Sequence, residues 1–117
     1  MKGVSGTRLL MRIFIQESDH FEGQPLYLAL LRLFQREGLS GGTALRGIAG
    51  FGVHSALHTD RFLDLSDHLP TVVEVIDQEA RVRALLPTID TMLQSGLVTF
   101  EKVEVISYSH PKGTPPE

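Results

Sequence analysis

Cysteine is absent from this sequence, which excludes a disulfide framework, a thiolate metal site and a cysteine nucleophile. A basic surplus is absent too. Lysine and arginine number 11 against 14 aspartates and glutamates, a formal net charge of −3. Non-specific nucleic-acid binding needs a basic field, so no nucleic-acid partner is expected, and no polybasic membrane patch stands out. No apolar run is long enough to span a bilayer. Residues 1–12 lack the apolar core and small-residue cleavage site of a signal peptide. The expectation is a soluble, cytoplasmic chain. Its 117 residues, 42% hydrophobic and 21% charged, suffice for one modest core and argue against general disorder.

Catalytic signatures are missing as well. There is no nucleophile elbow, no Walker loop and no His-Glu-x-x-His. The carboxylates Glu17, Asp19, Glu74 and Asp77 are scattered over different segments. No enzyme is expected.

What is present is a regular alternation of elements. Residues 7–16 alternate with the period of a strand: Leu9, Met11, Ile13 and Ile15 on one face, Leu10, Arg12, Phe14 and Gln16 on the other. Residues 17–24 are polar and read as a loop. Pro25 opens a helix whose apolar stripe is Leu26, Leu30, Leu33 and Phe34, and Gly38 suits its left-handed end. Residues 43–49 read as a second strand, weakened by Gly47. Residues 50–69 lack a sustained period and read as a long loop. Residues 71–76 form a β-branched third strand, and Asp77 is placed to cap a second helix striped with Val82, Leu85, Leu86, Ile89, Met92 and Leu93. Pro87 should kink or split that helix, and Gly96 closes it. Residues 97–108 are a last strand or hairpin arm. The tail holds three of the six prolines and is expected to be disordered.

The order β-α-β-β-α-β is that of an α+β ferredoxin-like domain over residues 1–108: a four-stranded antiparallel sheet with two helices on one face. The other face needs a cover. It carries Leu10 and Phe14 around Arg12, and Val72 and Ile76 around Glu74. Apolar surface with single complementary charges fits a subunit interface.

Two local patterns carry chemistry. His54 and His58 are four apart and precede several aspartates; they read as loop histidines, with a divalent metal as the rival reading. The run Gly47-Ile48-Ala49-Gly50-Phe51-Gly52 follows a strand but is not the dinucleotide fingerprint. Its glycines allow close approach of the backbone to a ligand, or a bulge that launches the loop.

Three stretches together resemble the PII-like signalling proteins, in the branch known as domain-of-unknown-function family 190. They are Gly42-Thr43-Ala44-Leu45-Arg46-Gly47-Ile48-Ala49-Gly50-Phe51-Gly52, Leu65-Ser66-Asp67-His68-Leu69-Pro70 with Thr71-Val72-Val73-Glu74-Val75-Ile76-Asp77, and Gly96-Leu97-Val98-Thr99 with residues 103–105. The resemblance implies a homotrimer with its sheets facing inward. It implies a partner-engaging mobile loop over residues 53–65, and adenine nucleotides in clefts between subunits. It also implies that Arg46, Gly50, Phe51, Gly52 and Lys102 bind the ligand. Where PII proteins have a glycine-rich phosphate loop, this chain has Thr99-Phe100-Glu101; bulk and negative charge there favour AMP or ADP over ATP. The branch further implies a membrane transporter or channel as partner. A CutA-like metal-binding trimer using His54 and His58, or a trimeric scaffold without a ligand, are the alternatives.

Overall fold

The computed structural model describes residues 6–52, 55–59 and 69–106, and only the backbone of Ser55, His58 and Thr59. The remainder of the expected loop over 53–65, including His54, and the tail from His110 lie outside the described residues.

Chain order is β1 (Gly6–Gln16), β2 (His20–Phe21), β3 (Gln24–Pro25), α1 (Leu26–Arg36), β4 (Thr43–Arg46), β5 (Ala49–Gly52), β6 (Ser55–Thr59), β7 (Pro70–Asp77), α2 (Glu79–Arg83), α3 (Leu86–Met92) and β8 (Leu97–Val105). Strands β4, β7, β1 and β8 form a four-stranded sheet in that order, every neighbouring pair antiparallel. The helices cover one face, so the expected α+β ferredoxin-like arrangement is present.

The period-2 alternation of β1 decides which face is core. Leu9, Met11, Ile13 and Ile15 are buried together with Val73 and Val75 of β7, and Leu26, Ala29, Leu30, Leu33 and Phe34 of α1. Val82, Leu85, Ile89 and Met92 complete this layer. Fully burying such a side chain is worth about 1.5–3 kcal/mol, so this face dominates the folding energy.

Helix α1 starts from Pro25 as its N-cap residue and ends in a Schellman motif. Gly38 takes φ +77°. The Leu39 N–H donates to Phe34 O at 3.0 Å and the Gly38 N–H to Gln35 O at 3.1 Å. Pro87 splits the second helical region as expected. It sits in the first turn of α3, where its missing N–H costs nothing, and α2 ends at Arg83.

Asp77 does something other than the expected helix cap. Its Oδ2 accepts from Ser40 N at 2.8 Å and Ser40 Oγ at 3.0 Å, and its Oδ1 accepts from Gln78 N at 2.7 Å. Arg81 lies 3.5 Å away and also donates to the Gly38 carbonyl at 2.6 Å. This buried carboxylate ties the end of α1 to the start of α2.

Two further expectations are corrected. The loop after β1 contains a two-residue hairpin, β2–β3. Its turn, Glu22-Gly23, has positive φ at both positions, +50° and +80°, which matches the twist of the flanking strands and folds Phe21 onto the core. The second sheet strand ends at Arg46 rather than Ala49. The chain then turns out of the sheet and forms a separate hairpin, β5–β6, with a register shift between Gly50 and Gly52. That register shift fits the bulge reading of the glycines.

Candidate functional site

Three regions hold the residues singled out in the sequence. The first is the sheet face away from the helices. Across it, side chains line up in rows set by the strand register. Leu45, Val72, Phe14 and Leu97 form one apolar row spanning all four strands. Thr43, Glu74, Arg12 and Thr99 form the next, and Ile76, Leu10 and Glu101 the one after. Phe14, Leu45, Ile76 and Leu97 are between 38% and 59% exposed. In the middle, Arg12 Nε bonds Glu74 Oε2 at 3.1 Å, and its Nη1 lies 3.5 Å from Glu101 Oε1. The complementary charges expected on this face are paired within one chain.

The second region is the corner where β4 leaves the sheet. The Gly47 N–H donates to Pro70 O at 2.7 Å. A Cβ on either Gly47 or Gly50 would stand 2.8 Å from the Pro70 Cγ, so the two glycines hold the backbone against the Pro70 ring. Phe51 and Leu57 stand on the hairpin, 79% and 68% exposed. Arg46, the last residue of β4, is ion-paired with Glu17 beyond the end of β1.

The third region surrounds Lys102 on β8. Lys102 lies opposite Leu9 and Phe100 opposite Met11, so both are on the helix side. The Arg83 guanidinium covers the Phe100 ring at 4.6 Å and its Nε bonds Glu79 Oε2 at 2.7 Å. The hydrogen bond from Arg83 holds the Glu79 carboxyl below its ordinary range, against an opposing effect of desolvation, with the charges of Arg83 and Lys102 adding to the lowering. The charge of Lys102 thus acts on Glu79. Glu101, whose negative charge was expected to act on the ligand beside Phe100, points to the opposite face from Lys102 and pairs with Arg12. Adjacent strand residues point apart, and that is the physical reason for the correction.

Of the five expected ligand residues, Arg46, Gly50, Phe51 and Gly52 fall together at the β4 corner. Lys102 does not join them. It sits at the other edge of the sheet, level with Leu9, whereas the corner is level with Gln16 through Pro70. Seven residues of strand separate these levels, roughly 23 Å. Sequence reasoning missed Pro70 as the seat of the glycines, Glu17 as the partner of Arg46, and the Glu79–Arg83 pair over Phe100. None of these contacts is local in sequence except Arg83 with Glu79, an i,i+4 pair.

This architecture is the PII-like fold. CPII of Thiomonas intermedia K12, a nitrogen regulatory PII-like protein bound to ADP, AMP and bicarbonate, superposes with a TM-score of 0.61. It shares 18% identity and is covered over 92% of its length by 89% of this chain. The same protein bound to ADP and bicarbonate gives a TM-score of 0.56 at 18% identity, over 89% of this chain and 93% of that one.

Residues 8–105 match the DUF190 family, described as "Uncharacterized ACR, COG1993", and the chain belongs to it. A UPF0166 protein of Aquifex aeolicus is 41% identical over 83% of this chain and 91% of its own. One from Methanocaldococcus jannaschii is 34% identical over 76% of this chain and 82% of its own. Among the described residues no helix is long and apolar enough to cross a membrane.

Proposed function

We propose that this chain is a cytoplasmic PII-like regulator rather than an enzyme. It assembles as a homotrimer through the open sheet face and binds AMP or ADP in clefts between subunits. It controls a partner, a membrane transporter or channel, through residues 53–65. The observation that supports this reading is the distance between Lys102 and the β4 corner within one chain. A ligand touching both Lys102 and the Gly50-Phe51-Gly52 turn has to lie between copies, because the two are at diagonal corners of one sheet. The exposed apolar row supplies a surface for such assembly, and the nucleotides bound to CPII support the ligand class.

Calorimetry with AMP, ADP and ATP tests the ligand. AMP or ADP should bind, and Lys102→Ala should weaken binding about tenfold or more, the usual effect of losing a hydrogen bond between charged groups. Glu79→Gln, which removes a carboxylate whose charge couples to that of Lys102, should tighten it. Binding that ignores Lys102 and Glu79 alike would move the site elsewhere. Absence of all three nucleotides from the assembled protein would favour a scaffold.

A further inference from the structure

Arg46 stands at a mechanical junction. It is the last residue of β4, and the next residue, Gly47, carries the hydrogen bond to Pro70 on which the β5–β6 hairpin is seated. Its Nε is bound to Glu17 Oε2. The two partners are unequal: the Arg46 side chain is 60% exposed and that of Glu17 only 19%. Glu17 is also anchored through its own backbone, its N–H donating to Leu69 O at 2.9 Å. The carboxylate is thus the fixed half, and the guanidinium reaches to it from solvent. An ion pair exposed on one side is weak and open to exchange. A phosphate offers the same planar fork two oxygens and more charge. The corner also holds Thr71, directly opposite Arg46 in the ladder, 4% exposed, whose Oγ1 has no hydrogen-bond partner among the described residues.

We propose that Glu17 is an internal competitor for the oxyanion that Arg46 serves. In the unliganded chain its carboxylate fills the anion position. A ligand phosphate takes its place, and Arg46 then leaves Glu17, freeing the base of the hairpin to change its seat on Pro70. This rests on the nucleotide-binding reading above and adds the route by which occupancy reaches the hairpin.

The experiment uses the full chain, with ADP as the probe. Glu17→Gln should tighten ADP binding about fivefold, the factor that an ion pair of this exposure commands. The same substitution in an Arg46→Ala background should change nothing. Without ligand, both single variants should speed hydrogen exchange at the Gly47 amide and along β5. A Glu17→Gln protein that binds ADP as the parent does, or more weakly, overturns the proposal. If neither parent nor variants bind ADP, the nucleotide reading fails, and the latch stands or falls on exchange alone. Faster exchange at Gly47 in both variants sustains it, and unchanged exchange in both overturns it.

Discussion

Phe14→Glu should leave the chain folded and reduce it to a monomer. Phe14 is an inner member of the apolar row on the open face, flanked by Val72 and Leu97, and it lies outside the core cluster. Folding therefore loses little. Assembly loses much, because each copy would have to bring an unpaired carboxylate into contact with apolar side chains. Desolvating such an ion costs several kcal/mol, and every 1.4 kcal/mol is tenfold in association. The parent should show three times the monomer mass in light scattering at micromolar concentration, and the variant the monomer mass with an unchanged far-ultraviolet spectrum. Leu45→Glu, at the edge of the same row, should act in the same direction but less. A variant as heavy as its parent would mean that copies meet through some other surface.

Gly50→Ala should destabilise the chain by about 1–3 kcal/mol, the range for overpacking a tight contact. The added Cβ would stand 2.8 Å from Pro70 Cγ, with Cβ and Cδ of the same ring at 3.5 Å. A proline ring cannot swing aside as a long side chain does, so the hairpin has to lift. Pro70→Ala removes Cγ and Cδ and leaves ordinary contact. The double variant should recover most of the loss in denaturant unfolding. Gly47→Ala should recover less, since its Cβ would also stand 3.3 Å from the Pro70 carbonyl oxygen, which stays. Rescue identifies the glycines as seats for the ring. If Pro70→Ala brings no relief while nucleotide binding is lost, these glycines serve ligand approach instead.

The parts of this fold that were legible in the sequence are those where one face meets one core. The alternation of Leu9, Met11, Ile13 and Ile15 assigns β1 and its buried side without ambiguity, and Pro25, Gly38 and Pro87 mark helix boundaries through backbone chemistry alone. The open face was legible for the same reason, as the complement of the first. The β5–β6 hairpin was not. Gly50 and Gly52 have no side chains to alternate, and the hairpin's exposed Phe51 and Leu57 meet no core that would impose a period. The β2–β3 turn was hidden because Glu22, a residue that rarely takes positive φ, occupies it. At the candidate site Arg46, Gly50, Phe51 and Gly52, singled out in the sequence, share the β4 corner, but the partners of these residues were invisible. Glu17 reaches Arg46 from 29 residues away, and only the register of β1 with its neighbours brings the two ends to one corner.

The rows on the open face have a consequence for any copy that settles there. One pleat along the strands is two residues, about 6.6 Å, and one pleat separates Leu45, Val72, Phe14 and Leu97 from the row that holds Glu74 and Arg12. A copy slipped by that distance would lay oily side chains over a charged pair and strip its water without replacement. Arg12, already tethered to both Glu74 and Glu101, has no slack with which to soften the mistake. If copies meet on it, the face would work as a ruler, sorting aligned copies from slipped ones by where the charge falls.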